Sequence, residues 1–318
     1  MRRIGLLFLL LFFLCSCEAE RFNPLDPKSP YFKDEATVYG HVVDWMGGPV
    51  EDARVVLEPG FYYGMSSASG EYSMSGVRTG TYTLLASREG FSADTHQADV
   101  TAGAPIRVDF RLDHLPACTE LRATAHNDSS SSGNDFYAIF FARIYDSDGW
   151  VLPDSVFLTM DTTLSWPMIH IGRDSCDSFG VLIPDDSLPG NTLEYLVGRS
   201  VCVLATDNAS KCSVSDQFGI SRIMYECPVA ISPDGVAPQN PVTFKWFTVK
   251  GDFEFTYTLT LEETYPNENS WVVEGIPSNT NEHFLGVLLE PGIYRWSIRA
   301  IDLYGNTSRS QVLAFMVS

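Results

Sequence analysis

The sequence predicts an all-β protein: three tandem β-sandwich domains behind an apolar leader and an extended linker. Three observations predict it. Short runs rich in Val, Ile, Thr, Tyr and Phe alternate along the chain, turns bearing Gly, Pro and Asp separate them, and no segment of useful length carries a helical period. At 318 residues the chain is too long for one sandwich of roughly 100 residues, so two or three cores are expected. A composition of 45% hydrophobic and 13% aromatic against 19% charged residues excludes disorder over most of that length.

The leader comes first. Arg2 and Arg3 precede the apolar run Ile4 to Leu14, which is too short to span a bilayer, since a spanning helix needs about 20 residues. It ends Leu14-Cys15-Ser16-Cys17, which resembles the lipobox of bacterial lipoproteins: a leucine, then a small residue just before the invariant cysteine. The resemblance implies a signal peptide over 1–16, cleavage before Cys17, a diacylglyceryl thioether on its sulfur and an acyl chain such as palmitate on the new amino end. Several chains anchor firmly where one binds only marginally. The expected location is therefore the bacterial cell envelope, with the outer membrane or cell surface favoured. Without Arg2 and Arg3, 19 basic residues face 40 acidic ones, a net charge near −21. Such a field repels phosphate backbones and excludes nucleic acid as a partner.

Residues 17–35 carry Pro24, Pro27 and Pro30 among polar residues and read as a lipid-anchored linker. In polyproline-like form its reach is roughly 50 Å.

Residues 36–115 form the first predicted sandwich. Arg107 to Leu112 alternate strictly, placing Val108, Phe110 and Leu112 on one face. Gly47-Gly48-Pro49 and Ser69-Gly70 turn the chain, Ala53 allows close packing at a strand start, and Tyr72 and Tyr82 supply large rings to a small core. With Gly40-His41-Val42-Val43-Asp44, Gly48 to Val55, Gly80-Thr81-Tyr82 and Gly90-Phe91, these residues resemble the carboxypeptidase regulatory-like domain. That resemblance implies a transthyretin-like seven-stranded sandwich with a structural role and no catalytic residues.

Residues 116–226 read as an immunoglobulin-like sandwich. Asn127 to Asp135, with four consecutive serines, is expected to be a mobile surface loop. Phe136 to Tyr145 and Ser155 to Met160 are expected strands, joined by Asp146-Ser147-Asp148-Gly149-Trp150. Residues 227–318 resemble a fibronectin type III-like sandwich: Tyr294, Trp296, Ile298 and Ala300 share a face, and Trp246 is the expected partner from the opposing sheet. A weak repeat links the two, because Ala205-Thr206-Asp207 and Ala300-Ile301-Asp302 each precede a serine and a phenylalanine at similar spacing.

Five more cysteines, Cys118, Cys176, Cys202, Cys212 and Cys227, meet an oxidising compartment in an exported protein, so one or two disulfides are expected. About 15 patterns are open. Cys202 with Cys212, flanking a hairpin around Asp207-Asn208, is the favoured pair. No C-x-x-C and no histidine near these cysteines supports a metal, and no metal or cofactor is expected.

Catalytic signatures are missing: there is no G-x-S-x-G, H-E-x-x-H, G-x-G-x-x-G or P-loop. A Cys118 and His126 nucleophile pair is conceivable but would be abolished by oxidation of the thiol. Asp146 and Asp148, with Asp154 nearby, look like a fragment of a calcium loop without its closing glutamate, and tight-turn chemistry accounts for the same residues. Trp45 and Trp150 lie in turns and are candidate ligand contacts, since exposed rings stack on pyranose faces. The expected function is that of a non-catalytic envelope lipoprotein acting as a structural, adhesive or protein-binding scaffold. A carbohydrate-binding lipoprotein and an accessory subunit of an envelope enzyme are the alternatives. Its expected partners are the membrane, through the lipid, and an envelope protein or polysaccharide.

Overall fold

The computed structural model describes residues 26, 28–160, 164–237 and 240–318, so Cys17 and the leader lie outside the described residues. Among the described residues the ordered elements are all β-strands apart from three short 3-10 turns, as the alternating runs predict. The chain divides into two compact units, one ending at His114 and one beginning at Leu115.

The first unit holds β1 (Glu35–Asp44), β2 (Arg54–Glu58), β3 (Tyr62–Met65), β4 (Glu71–Arg78), β5 (Gly80–Ser87), β6 (Asp94–Val100), β7 (Ile106–Arg107) and β8 (Phe110–Leu112). One sheet has the order β4-β1-β7, with β8 also on β1, and the other runs β3-β2-β5-β6. Between them Val38, Val42, Val55, Leu57, Leu84, Phe110 and Leu112 are almost wholly buried, and Tyr72 and Tyr82 are buried with them. Fully burying an aliphatic or aromatic side chain of this size is worth roughly 1.5–3 kcal/mol, which makes this alternation the main force holding the sandwich.

Gly40 shows how tightly β1 meets the segment between β7 and β8. A β-carbon there would stand 1.8 Å from the Val108 carbonyl oxygen, so only glycine fits. The Tyr72 hydroxyl donates to that same carbonyl at 2.6 Å.

The second unit opens with β9 (Ala117–Ser130), β10 (Gly133–Tyr145), β11 (Phe157–Met160), β12 (Leu164–Pro167), β13 (Ile169–Arg173), β14 (Asp177–Pro184), β15 (Cys202–Thr206) and β16 (Cys212–Val214). It continues with β17 (Val229–Ser232), β18 (Gly235–Val236), β19 (Thr243–Phe247), β20 (Phe255–Tyr265), β21 (Ser270–Pro277), β22 (Glu282–Phe284), β23 (Gly292–Asp302), β24 (Thr307–Arg309) and β25 (Leu313–Val317). Two separate cores form. One gathers Phe140, Ile144, Leu158, Phe179 and Val203, and the other gathers Phe244, Trp246, Tyr257, Trp296 and Phe315. Trp246 and Trp296 are each 1% exposed, and it is Phe244 whose ring meets Trp296 edge-on at 4.9 Å, while Trp246 packs on Tyr257.

The two cores share one sheet. A single ten-stranded sheet runs β13-β14-β10-β9-β24-β23-β20-β21, with β25 on β23 and β18 on β25, and is closed by β12-β11-β15-β16 over one core and by β17-β19-β22 over the other. The join is a short parallel pairing, Thr307 to His126, Ser308 to Asn127 and Arg309 to Asp128. Side chains tie it down: the Asn306 carbonyl oxygen accepts from the Ala125 amide at 2.9 Å, His126 Nδ1 meets Thr307 Oγ1 at 2.8 Å, and Arg309 pairs with Asp128 at 2.7 Å. Asn127, fully buried, donates to the carbonyls of Met224 and Tyr225 in the connection between the sandwiches.

This corrects the expectation for Asn127 to Asp135. The serine-rich stretch is the tip of the β9–β10 hairpin, and its first residue is structural, because a buried amide side chain satisfies two main-chain carbonyls that would otherwise have no partner.

Candidate functional site

In the first unit, β1, β6 and the chain around β7 and β8 enclose an open groove of about 520 Å³ lined by His41, Asp94, His96, Arg107, Asp109 and Arg111, with Phe110 at its base. Strand alternation turns these polar residues outward while Phe110 and Val42 point into the core. The Arg107 Nε donates to both Asp109 oxygens at 3.0 and 3.1 Å. Burial pushes the Asp109 carboxyl up, but the hydrogen bonds from Arg107 and from the His41 amide outweigh it and hold the group below the usual carboxylate range. His96 Nε2 lies 3.2 Å from Asp94, which also accepts from the Arg111 amide at 3.0 Å and the Thr95 amide at 2.8 Å.

Trp45 stands just beyond β1, about half exposed, with the Arg111 guanidinium over its ring at 5.5 Å. One face of the indole is taken by the cation and the solvent-exposed remainder is available for stacking. The groove thus offers paired carboxylates, two guanidiniums, two imidazoles and one ring, a set suited to hydroxyl-rich or anionic ligands.

Trp150 belongs to the other unit. It is about half exposed, and its amide and carbonyl both bond Asn208, the residue after Asp207. Asp146 and Asp148 stand in the same loop, hydrogen-bonded side chain to side chain, and burial followed by that contact pushes the Asp146 carboxyl up to about 6. Among the described residues no three His, Cys, Asp or Glu side chains are placed to hold a metal ion together.

The cysteine pairing favoured by the sequence fails on register. Cys212 lies opposite Thr206, four residues along β15 from Cys202, which separates the two by roughly 13 Å where a disulfide needs Cα atoms within about 7 Å. Among the described residues all five cysteines are unpaired. Burial pushes the thiols of Cys118 and Cys227 up to about 11, so both are protonated at neutral pH. Cys118 and His126 cannot act together either, since eight residues of one strand hold them roughly 26 Å apart.

The groove and its strands coincide with a known domain type. Residues 37–113 match the carboxypeptidase regulatory-like domain. The match covers about a quarter of the chain. No curated protein matches the sequence. Among solved structures, the major pilin subunit of Bacillus cereus is similar at 9% identity, over 89% of this chain and 95% of that one, with a TM-score of 0.29. A carbohydrate-binding candidate from Bacteroides uniformis is similar at 14% identity, over 58% of this chain and 98% of that one, with a TM-score of 0.24. A chain of a type II cohesin–X-dockerin complex from Acetivibrio cellulolyticus is similar at 15% identity and a TM-score of 0.22; the match spans 25% of this chain and 58%, less than two thirds, of that one.

Sequence reasoning found Trp45 but not its neighbours. His41 and Asp109 are 68 residues apart and meet only because the segment before β8 crosses β1 at Gly40. The one available signal was the strict alternation of Arg107 to Leu112, which sets Arg107, Asp109 and Arg111 on the face opposite Phe110.

Proposed function

We propose that this chain is a cell-envelope lipoprotein, anchored through Cys17, that serves as a non-catalytic scaffold. The observation that carries the scaffold reading is the ten-stranded sheet that runs through both cores of the second unit. A joint made of main-chain pairing and buried side-chain hydrogen bonds transmits force and fixes spacing, where a flexible linker would do neither. No helix of the described residues is long and apolar enough to cross a membrane, and the membrane attachment proposed is the lipid alone.

The groove beside Trp45 favours a second reading, in which the first unit binds an envelope polysaccharide. Its paired Arg107 and Asp109, its imidazoles and its half-open indole are the groups that hold sugars by hydrogen bonds and stacking.

The test is fractionation of the full chain in a bacterial host fed labelled palmitate. The wild type should carry label and sediment with membranes, and Cys17→Ala should do neither. Label in the variant, or equal sedimentation, would remove the anchor. Saturable binding of one glycan that is lost in Trp45→Ala, with no protein cross-linked to the chain, would replace the scaffold by the second reading.

A further inference from the structure

The second unit contains the same turn twice, and the two copies differ in one respect that points to a ligand. After β15, the Asp207 amide donates to the Lys211 carbonyl at 2.9 Å; at the end of β23, the Asp302 amide donates to the Asn306 carbonyl at 3.0 Å. In each, one carboxylate oxygen accepts the amides two and four residues on: Ala209 and Lys211 at 2.8 Å, and Tyr304 and Asn306 at 2.9 Å. Both aspartates are buried, at 1% and 6% exposure.

Their second oxygens have different fates. Asp302 Oδ2 accepts from the Asn306 side-chain amide at 3.0 Å and has the Arg222 guanidinium 3.6 Å away, so its charge is answered. Lys211 stands where Asn306 would be, and Asp207 Oδ2 is buried with no hydrogen-bond partner. What faces Asp207 in place of an arginine is more negative charge. Asp146, close enough to feel the Asp207 carboxylate, has its own Oδ1 buried without a partner, and it is hydrogen-bonded to Asp148.

Gly149 makes room for this arrangement. A β-carbon at that position would stand 2.2 Å from Asn208 Oδ1 and 2.8 Å from Asp146 Oδ2, so the loop and the turn bring two oxygens together across a bare backbone. Carboxylates packed this way with unanswered buried oxygens are costly unless a cation joins them.

We propose that the Asp146–Trp150 loop and the Asp207–Asn208 turn form a calcium site, with oxygens from Asp146, Asp207 and Asn208 and with Asp148 turning from Asp146 onto the ion. The donors are all oxygen, with no imidazole or thiolate, which selects a hard cation. Calcium accepts carboxylate, amide and water oxygens in a flexible shell of six to eight, which suits a set in which two carboxylates and one amide are near one another and the third carboxylate must swing in. Calcium thus supplies at this turn what Arg222 supplies at the other. It also pins the loop bearing Trp150 to the end of the first of the two cores.

The experiment is calorimetric titration of calcium chloride into the full chain in calcium-free buffer, followed by terbium luminescence excited through tryptophan, since Trp150 flanks the site. One ion per chain is expected, with an affinity on the order of 10⁻⁴ M, as in extracellular modules. Asp146→Asn and Asp207→Asn should each weaken it at least about tenfold, because each removes one of the charges that define the site. Asp207→Asn keeps the oxygen that the two turn amides need, and Asp146→Asn keeps the oxygen that accepts from the Asp148 amide, so each variant guards against a folding defect in the other. Asp154→Asn, an exposed acid just beyond the loop, should bind like the wild type. Absence of binding in the wild type, or wild-type affinity in both Asp146→Asn and Asp207→Asn, would overturn the proposal.

Discussion

Replacing Asn306 by alanine tests the joint between the two cores. Asn306 is 1% exposed, accepts from the Ala125 amide and donates to Asp302. Ala125 is also 1% exposed, so truncation leaves its N–H with no partner and no water; a buried unsatisfied donor costs about 1–3 kcal/mol. The lost bond to the Asp302 carboxylate adds about 1.5–3 kcal/mol, partly offset because Arg222 remains beside it. A net loss of about 3–5 kcal/mol lowers the melting temperature of a unit this size by roughly 6–20 °C. Five of the six tryptophans lie in the second unit, so tryptophan fluorescence follows its melting directly. A fall of less than about 2 °C in Asn306→Ala would mean that the bonds across β9 and β24 contribute nothing net.

Two further outcomes are expected. Burial lowers the pKa of His126, helped by Arg299 and opposed by Asp128, so the imidazole is neutral in the fold. A folded pKa below the unfolded value of about 6.5 means that its contribution is present above that pH and is lost as the pH falls. The fluorescence melting point should therefore drop between pH 7.5 and 5.5, and less so in His126→Gln; an equal drop in both would contradict the assignment. Gly40→Ala forces a β-carbon onto the Val108 carbonyl oxygen and should destabilise the first unit by about 3 kcal/mol. Proteolysis of residues 28–114 should accelerate in that variant while the fluorescence transition of the second unit stays in place, and unchanged protection would contradict the close crossing.

Much of this fold is written locally. Alternation at Arg107 to Leu112 and at Tyr294 to Ala300 marks buried faces that the structure confirms at Phe110, Leu112, Trp296 and Ile298. The glycines that permit the first sandwich are legible for the same reason, since each is required by a turn or a close crossing within about 70 residues. The joint between the sandwiches left no such trace. It pairs His126 with Thr307 across 181 residues, uses only three residues of each strand, and begins beside a serine run whose composition signals a loop. The unanswered charge at Asp207 was half visible: the repeat of Ala-Thr-Asp and Ala-Ile-Asp pointed to equivalent turns, but only the fold shows that Arg222 serves one of them and acidic residues face the other.

Native-state amide hydrogen exchange shows whether the second unit is one body built on a continuous sheet. If it is, amides of His126 to Asp128 and Thr307 to Arg309 exchange as slowly as those of Leu259 and Ile298 in the core strands. Exchange of those junction amides as fast as the hairpin tip at Ser131 and Ser132 would contradict it.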